Sequence, residues 1–231
     1  MIEMRDLYFH YGTNGFDLKV NELLIPEGQR CCWTGDSGSG KTTLLHLAAG
    51  IYLPNSGLIK CCGQDVTAKS DAARREFRVT KIGLVFQDFA LLDYLSVLEN
   101  ILLPYRISRS LRLNAEVRDR ANFLAQTVGL GDMLKRPPSQ LSQGERQRVA
   151  VCRAIITKPR LVLADEPTAN LDPANAELVV NMLDQYSREA GSTLVVVTHN
   201  RELAPQFDET INISQCLSAS RPATAGGVPN E

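Results

Sequence analysis

Hydrophobic and polar positions along this chain form two kinds of strand pattern. Four short β-like runs near the amino end predict an antiparallel layer. Three later apolar runs are separated by helical patterns, which predicts a parallel central sheet with helices on its faces. The early runs are 2–8, 16–24, 29–34 and 57–60, and the later ones are 82–86, 161–164 and 193–198. The expected fold class is therefore α/β, with both layers in one structure.

Two helix starts are visible in the sequence. Asp172 precedes Pro173, so a capping carboxylate stands before a proline at the first helical position, and this helix should run to about residue 190. Ser142 and Glu145 have the spacing of a capping box and predict a second helix. Residues 91–132 are rich in helical patterns, which indicates a lobe of their own.

Length and composition exclude several classes of protein. The 231 residues are 44% hydrophobic and 22% charged, enough for one large α/β domain or a domain with a subdomain. The net charge of −1 gives no overall positive potential that would attract nucleic acid. We therefore do not expect nucleic acid as a partner. No apolar run approaches the roughly 20 residues of a membrane helix, and the amino end lacks a secretory signal pattern, so we expect a cytoplasmic protein.

Six cysteines occur as two adjacent pairs and two single residues, without a C-x-x-C pair or a nearby histidine. We interpret them as reduced, small hydrophobic residues, with a disulfide or metal site as the less favoured alternative. They are Cys31, Cys32, Cys61, Cys62, Cys152 and Cys216.

The most informative segment is a glycine-rich loop that fits G-x-x-x-x-G-K-[ST] between a buried strand and a helical pattern. Glycines allow successive backbone N–H groups to turn toward phosphate oxygens, and the helix that follows presents its positive end to the anion. Lys41 adds a mobile charge, and Thr42 places a hydroxyl where Mg²⁺ bridges two phosphates. The predicted nucleotide-binding loop is Gly35, Asp36, Ser37, Gly38, Ser39, Gly40, Lys41, Thr42 and Thr43.

Two carboxylates follow the apolar run at 161–164, where the carboxyl edge of a parallel sheet binds ligands. We expect Asp165 to hold Mg²⁺, directly or through water, and Glu166 to polarise the water that attacks the γ-phosphorus. Acidic pairs after strands are also common as solvated loop starts, so this assignment depends on the phosphate loop.

Gln87 and His199 also follow predicted strands. The amide of Gln87 is a candidate Mg²⁺ ligand or sensor of the attacking water, and the imidazole of His199 is a candidate partner for a γ-phosphate oxygen. Each residue taken alone is more often an ordinary polar residue of a loop. With Lys41 and Glu166 they complete the predicted catalytic set.

The order and spacing of these motifs resemble the ATP-binding-cassette ATPases over residues 1 to about 213. The resemblance implies ATP and Mg²⁺ as cofactors, a homodimer with ATP at its interface, and a helical subdomain at about 88–157. It implies further that Tyr11 stacks on adenine and that 169–172 links two subunits. As an alternative from the residues, Tyr11 is an edge-strand aromatic. The predicted ATPase domain is 1–213, and 214–231 is expected to be a disordered tail.

By the same resemblance, Ser142, Gln143 and Gly144 belong to the family signature. Free N–H groups at a helix start attract phosphate, so in a head-to-tail dimer they would hold the nucleotide of the other subunit. Ser142 and Glu145 are also simply a good helix cap, and both interpretations can hold. Gln143 departs from the usual pattern, in which glycine is commoner.

Segments 85–92, 95–100 and 163–172 look like the lipoprotein-release and macrolide-export branch of this family. That branch implies an integral permease partner, FtsX-like or MacB-like, and a peripheral position on the inner face of the cell membrane. Apolar residues at 89–103 would then form a groove for the permease, or alternatively the packed core of the helical lobe. The other functions left open are a cassette ATPase acting on DNA or ribosomes, an FtsE-like mechanotransmission ATPase, and a regulatory nucleotide sensor.

Overall fold

Two sheets organise the structure, a computed structural model that describes residues 1–12 and 16–216. One sheet is parallel and has the strand order β6-β7-β8-β3-β9, and the other is antiparallel with the order β2-β1-β4-β5. The strands are β1 (Ile2–His10), β2 (Asp17–Ile25), β3 (Arg30–Thr34), β4 (Ser56–Cys61), β5 (Gln64–Asp65), β6 (Ile82–Val85), β7 (Leu161–Asp165), β8 (Thr193–Val197) and β9 (Glu209–Asn212).

The parallel sheet is buried on both faces, as its apolar runs predict. Every residue of β3, β7 and β8 is buried. Cys31 pairs with Val195 of β8 and Glu209 of β9, and Leu163 pairs with Val195 from the other side. All these strands run the same way, so their carboxyl ends share one edge.

Placing the run at 29–34 in the antiparallel layer was wrong. The structure puts β3 in the parallel sheet, between β8 and β9. A strand apolar on both faces gains most burial between two neighbours, and those neighbours lie more than 150 residues further along the chain. The strand β9, half-exposed at the sheet edge, was not predicted at all.

The antiparallel sheet packs one face on the core, and its strands alternate accordingly. Met4 pairs with Leu23 of β2 and with Ile59 of β4. These residues join Trp33 and the helix after the phosphate loop in one hydrophobic cluster. Core packing therefore fixes the antiparallel layer against the strand that leads into the phosphate loop.

Helices cover both faces and form a lobe beside the parallel sheet. Helix α6 ends at Ile155, and α7 ends at Ala190, where Gly191 follows as a left-handed cap with φ 61°. The helix α2 was not predicted. The helices are α1 (Lys41–Ala48), α2 (Asp71–Lys81), α3 (Val97–Ile101), α4 (Leu103–Ile107), α5 (Ala115–Thr127), α6 (Gln143–Ile155), α7 (Pro173–Ala190) and α8 (Ile213–Cys216).

A separate hydrophobic cluster contains residues of α3, α5 and α6. Within the described ranges, no helix is long and apolar enough to cross a membrane. Of the predicted tail, 214–216 lie in α8, and 217–231 are outside the described residues.

Candidate nucleotide-binding and hydrolysis site

The phosphate loop joins the buried end of β3 to the start of α1, as its sequence predicts. Gly40 stands before the helix with φ 90°, and a Cβ there would lie 2.9 Å from the ring of Phe16. Only glycine satisfies both the angle and the close approach. The buried ammonium of Lys41 donates to the carbonyls of Gly35 (2.8 Å) and Asp36 (2.9 Å) of its own loop. These two bonds hold the loop in a closed curve around the lysine.

Thr42 and Asp165 meet at the carboxyl edge of the parallel sheet. The hydroxyl of Thr42 donates to Oδ1 of Asp165 at 3.1 Å, although 123 positions separate them in the chain. Asp165 is only 4% exposed, and this burial raises the pKa of its carboxyl. Nearby Glu166 raises that pKa further, while Thr42 and Lys41 oppose the shift.

These two oxygens fit the Mg²⁺ that the sequence predicts. A hydroxyl and a buried carboxylate are hard oxygen ligands, and Mg²⁺ typically takes one or two such protein groups while substrate phosphates and water supply the rest. No cluster of three or more His, Cys, Asp or Glu suited to a metal occurs within residues 1–12 and 16–216. The hydroxyl of Thr42 and the carboxylate of Asp165 are the two protein oxygens available to such a Mg²⁺.

Glu166 and His199 are in direct contact beside this pair. Nδ1 of His199 lies 2.9 Å from Oε2 of Glu166, and the backbone N–H of His199 donates to the same oxygen at 3.3 Å. Glu166 adopts φ 45°, an uncommon angle for glutamate, while its N–H donates to the carbonyl of Val197. The strand ends of β7 and β8 thus hold a carboxylate and an imidazole in one fixed arrangement.

Most of the predicted residues line a single cleft of about 480 Å³. Gln87 reaches it from the loop after β6, and Phe16, which the sequence did not single out, lines it from the loop before β2. Gly35, Asp36 and Asp165 do not line the cleft, but the carbonyls of Gly35 and Asp36 accept from Lys41, and Asp165 accepts from Thr42. The lining residues are Tyr11, Phe16, Ser37, Gly38, Ser39, Gly40, Lys41, Thr42, Thr43, Gln87, Glu166 and His199.

Tyr11 stands just after β1 and is 41% exposed. Its hydroxyl is 2.9 Å from Oγ1 of Thr43, and its ring meets Phe9 and Tyr52 edge to face, with centroids 4.8 and 5.7 Å away. The pKa of Tyr11 is raised, mainly by partial burial. These contacts bring an aromatic ring to the rim of the phosphate loop.

Ser142, Gln143 and Gly144 lie outside this cleft, at the start of α6. The N–H of Ser142 donates to Oε2 of Glu145 (2.7 Å), and the N–H of Glu145 donates to Oγ of Ser142 (3.3 Å), which confirms the capping box. Ser142 and Gln143 are exposed, and Gly144 is buried. The single chain does not bring this helix start to its own nucleotide cleft.

Asn175 ties the start of α6 to the start of α7, and the sequence did not single it out. Its Nδ2 donates to Oδ2 of Asp172 at 2.6 Å, and its Oδ1 accepts from Arg148 of α6. A Cβ on Gly144 would overlap that same side chain. The absence of a side chain at Gly144 therefore lets α6 approach Asn175 closely, and Asn175 in turn contacts Asp172.

A second, apolar groove of about 290 Å³ lies between α2, α4 and α6. Leu84, Phe86, Ala90 and Leu103 line it, while Val97 and Ile101 of the same segment are core residues of the lobe. The 89–103 segment therefore contributes to both the groove and the core.

Comparison of this sequence with known proteins finds a matching family and close relatives in sequence. A model of a family described as ABC transporter matches residues 18–169. Lipoprotein-releasing system ATP-binding protein LolD 2 of Caulobacter vibrioides is 41% identical over 214 residues, covering 91% of this chain and 93% of the relative. LolD of Hydrogenovibrio crunogenus is 40% identical over 200 residues, covering 87% and 83%.

A third relative, the macrolide export ATP-binding/permease protein MacB of Rhodopirellula baltica, is 39% identical over 95% of this chain, which spans only 32% of it. Among solved structures, the cassette MJ0796 in a dimeric post-hydrolysis state with ADP and Pi has a TM-score of 0.84 and 31% identity. A second dimeric structure of that cassette has the same TM-score and 32% identity. Both cover 93% of this chain and 95% of theirs.

Proposed function

This chain belongs to the ABC transporter family of ATPases, and on that premise we propose that two copies close around two ATP molecules to drive a separately encoded membrane permease. One observation carries the proposal: the phosphate loop, Glu166 and His199 surround one cleft, with Nδ1 of the histidine 2.9 Å from the glutamate. ATP hydrolysis needs a held triphosphate and an oriented water, and this cleft has side chains for both tasks.

Each residue of the cleft has a distinct role in this proposal. Lys41 leaves the carbonyls of Gly35 and Asp36 and binds the outer phosphates, because a phosphate oxygen is a stronger acceptor for an ammonium than a carbonyl. Thr42 and Asp165 would hold Mg²⁺, which neutralises charge on the phosphates when it is bound. Tyr11 stacks on the adenine.

Glu166 orients the attacking water and accepts its proton, while His199 binds a γ-phosphate oxygen. Their contact keeps the carboxylate directed into the cleft. Gln87, exposed on a loop between the cleft and the apolar groove, reaches toward the metal or the water. Phe86, the residue before Gln87, lines that groove. Two adjacent residues therefore connect the apolar groove to the nucleotide cleft.

A second copy would complete the nucleotide site. The N–H groups at the exposed start of α6 lie away from the cleft of their own chain and suit the phosphate of a nucleotide held by another. The dimeric states of the two similar structures of the cassette MJ0796 support this arrangement. ATP then stabilises the closed pair, and hydrolysis opens it.

For the partner, we propose a permease of the FtsX or MacB type, which places this chain at the inner face of the cell membrane. The support is the similarity to LolD and MacB proteins together with the groove, whose lining from α2, α4 and α6 suits an amphipathic helix. An FtsE-like mechanotransmission role uses the same motor and partner surface. An ATPase acting on DNA or ribosomes is the second class, and the net charge of −1 disfavours it.

Two measurements test the proposal. Sedimentation of purified Glu166→Gln protein should show a dimer with ATP and a monomer with ADP, whereas a monomer in both would refute the ATP-closed pair. Affinity purification of the wild-type chain from detergent-solubilised membranes should recover one integral membrane protein. Recovery of ribosomes or nucleic acid instead would overturn the permease assignment and leave the ATPase assignment intact.

A further inference from the structure

The adjacent cysteines Cys61 and Cys62 stand at the turn between β4 and β5, away from every residue assigned above. Their sulfur atoms are 3.9 Å apart. Cys61 is fully buried in the core, whereas Cys62 is half-buried and reaches solvent. The pair therefore combines one accessible thiol with one protected thiol in contact with it.

The backbone keeps the two thiols together. Cys62 and Gly63 both have positive φ angles, 50° and 74°, as a two-residue hairpin turn requires, and Cys61 pairs with Gln64 across it. The N–H of Cys62 donates to the carbonyl of Met1 at 2.9 Å. The backbone of the turn is therefore anchored on both sides, and the two sulfur atoms are in contact in this conformation.

The charges around the pair favour a thiolate on the accessible sulfur. The hydrogen bond from Cys61 lowers the pKa of the Cys62 thiol, and Arg160, the amino terminus and Lys81 lower it further. The same hydrogen bond and burial raise the pKa of Cys61. The nucleophile of a thiol exchange reaction is the thiolate, so Cys62 is the residue that would react first.

We propose that Cys61 and Cys62 form a vicinal dithiol site that undergoes exchange with glutathione disulfide. The Cys62 thiolate attacks one sulfur of that disulfide and displaces one glutathione thiolate, which takes up a proton. Cys61 then gives its proton to water, attacks the Cys62 sulfur and displaces the second glutathione. Two protein thiols become one disulfide, and one glutathione disulfide becomes two glutathione molecules.

The bond formed should be easy to reduce again. Adjacent Cα atoms are about 3.8 Å apart, below the roughly 4.4–6.8 Å of ordinary disulfides, and strain makes a disulfide more oxidising. The site would thus respond reversibly to the glutathione pool.

The chain supplies its own control for the experiment. Cys31 and Cys32 are also adjacent, but both are fully buried in β3, where successive side chains face opposite sides of the sheet. Trypsin releases the two pairs in separate peptides, 61–69 and 31–41. The full-length protein is treated with glutathione disulfide, alkylated and digested without reductant.

We expect peptide 61–69 to lose two hydrogens while peptide 31–41 stays doubly alkylated and reacts at least roughly a hundredfold more slowly, because its exchange requires opening of the core. Cys61→Ser should leave a stable glutathione adduct on Cys62, and Cys62→Ser should prevent both products. Cys62→Asn should also prevent the disulfide and the glutathione adduct, and asparagine tolerates the positive φ angle at this position.

Three results would overturn the proposal. The first is complete alkylation of both thiols in 61–69 after treatment with an excess of glutathione disulfide. The second is a disulfide between two chains instead of within one peptide. The third is an adduct that persists on Cys62 of the wild-type chain, because Cys61 would then not be displacing it.

Discussion

Gly144 of α6 and Asn175 of α7 approach each other so closely that a Cβ on the glycine would overlap the amide side chain. Nδ2 of Asn175 donates to the carboxylate of Asp172, and Oδ1 of Asn175 accepts from Arg148. The starts of α6 and α7, neither of which lines the chain's own cleft, are therefore in direct contact, and we expect them to move together when a second copy docks.

Gly144→Ala tests this contact. Overpacking a buried crossing costs about 1–3 kcal/mol, so we expect the variant to unfold at lower urea concentration. In an Asn175→Ala background the same substitution should cost less, because the overlapping atoms are gone, and a double-mutant cycle measures the difference. Gln143→Ala, at an exposed neighbouring position, is the control. Equal costs in both backgrounds would show that the two residues do not interact.

Glu166→Gln should reduce ATP turnover by roughly 10²–10⁴-fold, the usual contribution of a general base, and leave ATP affinity nearly unchanged. The amide keeps the shape of the side chain but cannot accept the proton of water. Steady-state phosphate release and equilibrium nucleotide binding check the two parts. Glu177→Gln, on the exposed side of α7, should behave as wild type. Undiminished turnover by the first variant would contradict the assigned role.

Lys41→Ala should weaken ATP binding by about 10–100-fold, because hydrogen bonds to charged groups contribute roughly 1.5–3 kcal/mol. The substitution also removes the bonds to the carbonyls of Gly35 and Asp36, so the free loop should be less ordered. Fluorescence titration with a nucleotide analogue measures the affinity. The exposed Lys135→Ala serves for comparison, and tight binding by Lys41→Ala would exclude the loop assignment.

Asp165→Asn should make the nucleotide-free protein more stable and nearly inactive. Burial raises the pKa of Asp165, so the folded state keeps this proton to a higher pH than the unfolded state does. Ionisation of Asp165 therefore lowers stability as pH rises from the unfolded value of about 3.9 through the raised folded value. The neutral amide has no such cost.

The stability gain of Asp165→Asn over wild type should accordingly be larger at pH 7.5 than at pH 4.5, as judged by urea unfolding. Magnesium-dependent turnover should fall by roughly a thousandfold, since a lost metal contact removes several kcal/mol from the transition state. A gain that shrinks as pH rises would reverse the sign argued here.

Arg153→Met tests the link between the apolar groove and the lobe. The buried guanidinium donates to the carbonyls of Phe89 (2.6 Å) and Ala90 (2.5 Å), both in left-handed conformations, and burial lowers its pKa to about 10. Without these bonds, hydrogen exchange at 88–91 should accelerate by at least roughly tenfold. Basal ATPase activity should stay within about twofold of wild type. Arg118→Met, exposed on α5, should leave exchange unchanged.

The local motifs were readable from the sequence because short-range chemistry specifies them. The phosphate loop, the capping box at Ser142 and the two carboxylates at the end of β7 depend on neighbouring residues, and the structure has the loop before a helix, the cap at a helix start and the carboxylates at a strand end. The buried runs likewise indicated the parallel sheet.

Tertiary structure alone decided which distant segments meet. The hydrophobic pattern of β3 is the same whether its neighbours are β8 and β9 or strands of the antiparallel sheet. Its actual partners are determined by burial between segments that lie far apart in the chain. Three further contacts also join residues that are far apart in sequence. They are the contacts of Phe16 with the phosphate loop, of Asn175 with Gly144, and of Arg153 with the carbonyl of Ala90. Each of these contacts depends on the course of the whole backbone, and a local pattern of residues does not specify that course.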